Sequence, residues 1–177
     1  MFMGLDLSLT ATGMCVVNEE GALCAHALIQ PGDLRGAERL AFIYHAVSDA
    51  LDCRAIALAA VEGYSFGSRN RSRAYDAGEL GGVVRMALFL AGVEFVIVAP
   101  TRLKSFLTGN GHAKKPAMQK ALRRRFRMGF QDDNLVDAAA LAMMAYFYHH
   151  RLHRGHARYT ALPGSQRKQI EALIPSS

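Results

Sequence analysis

Four carboxylates stand where carboxylates are not expected, and together they suggest a chemistry. Asp6 lies inside Met3-Gly4-Leu5-Asp6-Leu7-Ser8, a segment of strand character, although aspartate is disfavoured in strands and rarely buried without a partner. Glu62 follows directly on the continuous apolar run Ala55 to Val61, the pattern of a buried central strand. Asp133 and Asp137 are four residues apart, which on a helix puts both on one face. Strand ends of an α/β sheet often line one crevice, and carboxylates gathered there repel one another unless a cation neutralises them. All-oxygen donors favour Mg²⁺ or Mn²⁺. Each acid taken singly reads as a cap or a surface charge. Taken in this order, they read as a metal site.

A second feature is charge of the opposite sign. No acidic residue occurs between Phe95 and Gln131, while the same stretch carries Arg102, Lys104, Lys114, Lys115, Lys120, Arg123, Arg124, Arg125 and Arg127. The chain has 177 residues and a formal net charge of +6. A one-signed block inside a folded domain creates a local field, and a phosphate backbone is its commonest match. Cys15, Cys24 and Cys53 are odd in number and fit no metal spacing, so buried, inert thiols in a reducing compartment are expected. No signal peptide and no apolar run of about 18 residues is present, so a cytoplasmic protein without membrane segments is expected. His149, His150, His153 and His156 have partial helical spacing but no Cys or acid beside them, and read as a histidine-rich helix end.

The elements that must position these groups follow from periodicity. Met3–Ser8, Gly13–Val17 and Ala22–Ile29 read as strands, the last two joined by a hairpin at Asn18-Glu-Glu-Gly21. Gly36–Leu51 has helical spacing through Leu40, Ile43, Tyr44, Val47 and Leu51. Ala55–Val61 is a strand, Gly63–Ala74 a polar, Arg-rich loop, Glu79–Leu90 a helix and Glu94–Val98 a strand. Pro100 opens a helix, because its missing N–H would be unpaired there in any case. Lys114–Phe126 is a helix with Met118, Leu122 and Phe126 on one side and Lys120, Arg123, Arg124 and Arg127 on the other. A last helix runs from Asp132 to about His153. The expected architecture is α/β, a mixed five-stranded sheet with helices on both faces. Residues 1–154 form one domain and residues 155–177 a loosely packed tail.

Four segments occur in order between about Met3 and Met144: Gly4-Leu-Asp6-Leu-Ser-Leu-Thr-Ala-Thr-Gly13, Val61-Glu62-Gly-Tyr-Ser-Phe66-Gly, the pair Ala99-Pro100-Thr-Arg-Leu-Lys104 and Gly109-Asn-Gly-His-Ala-Lys-Lys115, and Asp132-Asp-Asn-Leu-Val-Asp137-Ala-Ala-Ala-Leu-Ala142. They resemble the first-strand aspartate, the central-strand glutamate with its aromatic loop, the basic DNA-facing segment and the C-terminal acidic helix of the RuvC-type Holliday junction resolvases, RNase H-like nucleases, especially their phage-like branch. The resemblance implies that Asp6, Glu62 and Asp137 are metal ligands and catalytic. Two Mg²⁺, which Mn²⁺ can replace, would lie about 3.5–4 Å apart and clamp the attacking water and the leaving 3′ oxygen of a phosphodiester. It also implies a homodimer making paired nicks in a four-way junction and leaving 5′ phosphates. Lys104, Lys114 and Lys115 match its basic positions and would bind phosphate. Tyr64 and Phe66 would stack on unpaired bases, with Arg69, Arg71 and Arg73 on phosphate. His112, in the Gly-rich loop, reads as a plain loop residue near the site.

The fourth ligand departs from the family's pattern, which sets two ligands three apart on the last helix. Here the residue three before Asp137 is Asn134, and the residue four before is Asp133. Two Mg²⁺ carry more positive charge than three carboxylates return, so Asp133 is expected as the fourth ligand. Asp132 is expected at the helix N-cap, with Asn134 a supporting donor or the alternative ligand. Three other readings compete. The first segment also resembles the phosphate-binding strand of actin-like ATPases, which need a second domain. A non-catalytic DNA-binding module would use the acids for structure alone. A less selective nuclease would cut flaps or RNA–DNA hybrids.

Overall fold

The computed structural model describes residues 1–63, 71–151 and 157–176, with the side chains of 71–74 left aside. The chain opens with an antiparallel meander, β1 (Phe2–Asp6), β2 (Thr12–Val17) and β3 (Leu23–Ile29). The turn between β2 and β3 is closed by Asn18, whose side-chain oxygen accepts the N–H groups of Glu20 and Ala22 at 3.0 and 2.9 Å. Gly21 there has φ +70°, a conformation glycine adopts without steric cost. Next come α1 (Gly36–Asp52), β4 (Leu58–Glu62), α2 (Arg71–Leu90) and β5 (Phe95–Val98), with β4 parallel to β1 and β5 parallel to β4. The remainder is α3 (Pro100–Thr108), α4 (Lys115–Phe126), α5 (Asp133–Arg151), α6 (Ala157–Thr160), α7 (Gly164–Glu171) and β6 (Pro175–Ser176). The sheet order is β3-β2-β1-β4-β5-β6. The five expected strands are all there, and β6 adds a two-residue antiparallel edge to β5.

The strand period of two sorts β1 onto two faces. Met3 and Leu5 join the core under α1 and α2, with Ile43, Val47, Leu80, Val84 and Leu88. Phe2 joins the other core, under α3, α4 and α5. Helix α5 is buried almost without interruption from Val136 to Tyr148, as expected of a helix that is apolar all round. It lies unusually close to the sheet at two glycines. A Cβ on Gly4 would overlap the carbonyl oxygen of Ala138 and the backbone nitrogen of Ala142, and one on Gly13 would overlap the carbonyl of Asn134. These two contacts flank Asp137 and fix its helix over the C-terminal end of β1.

Four expectations need correction. Helix α2 begins at Arg71, inside the stretch read as a loop; Arg71-Ser-Arg-Ala-Tyr-Asp-Ala contains enough Arg and Ala to favour helix once anchored. Cys15 is buried, but Cys24 and Cys53 are exposed, because Cys24 points outward from edge strand β3 and Cys53 follows the end of α1. The C-terminal segment is packed, not loose. Leu162, Ile170 and Leu173 enter the core, and buried Gln166 donates to the Phe106 carbonyl at 2.6 Å. Arg127 does not continue the basic stripe of α4. It caps the helix in the left-handed region at φ 57° and lines a cavity together with Arg125 and Arg158 instead.

Candidate active site

Parallel pairing of β1 with β4 sets Leu5 opposite Val61, so the next residue of each strand, Asp6 and Glu62, ends its strand beside the other. Both fall on the α5 face. Asp6 is 6% exposed and shares a hydrogen bond with Glu62. Burial first, then the hydrogen bond and charge of Glu62, push Asp6 up to about 9. Burial also raises Glu62, with the Asp137 charge adding to it and the Asp6 hydrogen bond opposing. The two carboxyls therefore hold a proton between them more tightly than either would alone. Asp137 is pushed up to about 7 by burial and then by the Asp6 charge, against the pull of Lys104 and Lys115. The three acids thus share one crevice and want more positive charge than the fold supplies.

The basic block meets this crevice. A cavity of about 360 Å³ is lined by Asp133 and Asp137 together with Lys104, His112, Lys114 and Lys115. Pro100 starts α3 and Gly109 ends it at φ 83°, so the chain turns sharply and brings Lys114 and Lys115 back beside Lys104. A second cavity of about 280 Å³ reaches Glu62 from the other side, past Ser8 and Pro100. Lys120, Arg123 and Arg124 line a separate concavity on the outer face of α4.

Asp132 caps α5 as expected, accepting the N–H of Asn134 at 2.8 Å. Asp133 is otherwise engaged. Lys115 Nζ lies 2.7 Å from one of its oxygens, and Gln119 Nε2 donates to the other at 3.2 Å. The Gln119 contact has no signal in the sequence, because it depends on how α4 docks beside the start of α5. Among the described residues, no three His, Cys, Asp or Glu side chains stand at ready-made metal-ligating distances: Asp6 pairs with Glu62, Asp137 acts on both by charge, and Asp133 is paired with Lys115. Tyr64, Phe66 and Arg69 lie outside the described residues, as do His153 and His156 and the side chains of Arg71 and Arg73.

The fold has close relatives among solved structures. The structure of Thermus thermophilus RuvC aligns with a TM-score of 0.70 and 28% identity, covering 83% of this chain and 94% of that one. T. thermophilus RuvC in complex with Holliday junction substrate aligns at 0.69 and 28%, covering 80% and 89%. The RuvC crossover junction endodeoxyribonuclease of Hyphomonas neptunium is 34% identical over 81% of this chain and 88% of its own length. A mixed sheet whose neighbouring central strands end in carboxylates, beneath a helix that brings a third, defines an RNase H-like nuclease domain. Residues 2–145 match the family described as crossover junction endodeoxyribonuclease RuvC, and the chain belongs to that family of metal-dependent nucleases. Among the described residues, no helix is long and apolar enough to cross a membrane.

Proposed function

We propose that this protein resolves Holliday junctions, using the crevice between β1, β4 and α5 to hold two Mg²⁺ ions, or Mn²⁺ in their place. The observation that carries this reading is the crowding of Asp6, Glu62 and Asp137, all pushed above the ordinary carboxylate range by burial and by one another. Oxygen donors that are buried (Asp6) or half-buried (Glu62, Asp137) and short of positive charge suit a hard divalent cation. Asp6, Glu62 and Asp137 would hold the ions, and Asp133 would supply a fourth carboxylate after exchanging Lys115 for metal. When bound, the cations activate a water and stabilise the leaving 3′ oxygen, so that the cut leaves a 5′ phosphate. The chain's own contributions are separable. The proton between Asp6 and Glu62 must leave before both oxygens can ligate. Lys104, Lys114 and Lys115 draw a DNA phosphate to the rim of the same cavity, with Tyr64, Phe66 and Arg69 proposed to touch DNA beside Glu62.

A four-way junction requires two symmetric cuts, which a twofold dimer supplies. The α1/α2 face supports this, for Phe42, Met86, Phe89 and Leu90 are exposed there and Gly82 opens onto free space. The protein works in the cytoplasm, where the exposed thiols of Cys24 and Cys53 stay reduced. Incubation with labelled four-way junction, flap, duplex and RNA–DNA hybrid, with and without Mg²⁺, tests the proposal. Paired, Mg²⁺-dependent nicks confined to the junction are expected. Equal cutting of flap or hybrid would favour the less selective nuclease, and binding without cutting the non-catalytic module.

A further inference from the structure

A further cavity lies at the far end of α5 from the carboxylates. It has a volume of about 550 Å³ and touches the β2–β3 turn at Gly21, at the edge of the sheet opposite Asp6. Its α5 wall, Met143, Tyr146 and Phe147, begins six residues beyond Asp137, about 9 Å along the axis at ~1.5 Å per residue. Arg125, Arg127 and Arg158 converge on it, against the single acid Glu20. Two of these come from the end of α4 and one from α6.

Among the described residues, neither Arg125 nor Arg127 takes part in an ion pair. Arg125 Nε is buried without a hydrogen-bond partner, and burial and the neighbouring Arg124 push its pKa down. Arg158 lines the cavity beside Tyr146, and its positive charge opposes the rise that burial gives that hydroxyl. Arg127 departs from helical geometry at φ 57°, a conformation uncommon for a long side chain. Behind the charges stand Phe126, Phe147 and Leu162.

We propose that this cavity binds an organic polyphosphate of the size of a nucleoside diphosphate. Guanidinium groups match phosphate oxygens in pairs, and three of them converging on one spot suit a multiply charged anion better than a single carboxylate. The apolar wall receives the organic part, and the volume falls in the range of small-molecule sites, roughly 300–1,000 Å³. An acidic peptide is the alternative occupant. The proposal does not depend on the junction-resolving assignment, since no cavity-lining residue belongs to the acidic crevice.

Calorimetric titration with ADP, AMP, pyrophosphate and a tetraglutamate peptide tests it, in EDTA so that no metal–nucleotide complex enters the acidic site. ADP is expected to bind once per chain, more tightly than AMP or pyrophosphate. Arg158→Gln should weaken ADP by about tenfold, the loss of one charge-assisted hydrogen bond. Arg127→Gly, which removes the guanidinium while favouring the observed backbone, should do the same. Junction cleavage by Arg158→Gln should remain that of the wild type. The proposal is overturned if ADP does not bind, if both substitutions leave its affinity unchanged, if tetraglutamate binds as tightly, or if Arg158→Gln abolishes cleavage.

Discussion

The two faces of β1 were built for different purposes. Toward α1 and α2 the strand offers Met3 and Leu5 to an apolar core, and the far side of those helices keeps Phe42, Met86, Phe89 and Leu90 in solvent. Toward α5 the same strand offers Phe2, Gly4 and Asp6. Phe2 packs edge-on to Tyr146 at 5.5 Å, Gly4 admits the helix backbone, and Asp6 stays buried at the strand end. One face therefore holds spare apolar surface suited to a partner protein. The other holds spare negative charge suited to a cation. A sheet can carry both because alternate residues of one strand never compete for the same environment.

The strongest way to break this contrast is to remove the close approach on the α5 face. Gly4→Ala places a methyl group into the α5 backbone, where no flexible side chain can yield. We expect a loss of about 3 kcal/mol or more, at the upper end for overpacked cores, seen as a lower denaturant midpoint, together with loss of cleavage. Gly82→Ala, in an open position of α2, should instead be neutral or stabilising by up to about 1 kcal/mol. Equal behaviour of the two variants would show that the glycines do not distinguish the faces.

Within the acidic face, Asp133→Asn should lower Mg²⁺ affinity and cleavage strongly, by roughly 10- to 100-fold, whereas Asn134→Ala should do less. The reverse order, read by metal titration and junction cleavage, would assign the fourth position to Asn134. On the opposite face, Phe89→Glu puts a charge into the exposed apolar patch and should convert the dimer to a monomer in light scattering at micromolar concentration. A wild type that is already monomeric, with or without junction DNA, would remove the patch from assembly.

A further effect is a slope in pH. Asp6 and Asp137 titrate near 9 and 7 in the metal-free fold, against an ordinary value of 3.8. The folded state therefore binds more protons than the unfolded state between about pH 4 and 9. Their contribution to stability is complete below pH 4 and is lost as pH rises through that window. Asp6→Asn should thus stabilise the metal-free protein increasingly from pH 5 to 9, by at most about 1.4 kcal/mol per pH unit, in paired thermal melts. A gap that shrinks as pH rises would contradict the burial of a protonated Asp6.

Much of this arrangement is legible in the sequence, and the reasons differ by element. Strand and helix order followed from periodicity, and the helix starts at Pro100 and Asp132 from capping chemistry. That Asp6 and Glu62 would meet followed from their places at the ends of two apolar strands. Contacts between distant segments were not legible. Nothing local marks Leu162, Ile170 and Leu173 as core residues, because their partners on α3 and α5 lie far back in the chain. Asp133 looked free for metal in sequence, yet Lys115 and Gln119 hold it, because α4 ends up alongside the first turn of α5. Cys24 read as buried, since an edge strand has the composition of a central one and only the sheet order tells them apart.

The central claim is that Asp6 belongs to a metal-dependent cutting site that is separate from the DNA-holding surface. Binding and cleavage of a labelled four-way junction by Asp6→Asn, compared with wild type in Mg²⁺, test it most directly. The account predicts junction affinity within a few-fold of wild type, because Lys104, Lys114 and Lys115 are untouched, with cleavage reduced by at least about 10²-fold, the scale set by loss of one electrostatic group at a reaction centre. Near-normal cleavage by the pure variant would contradict it.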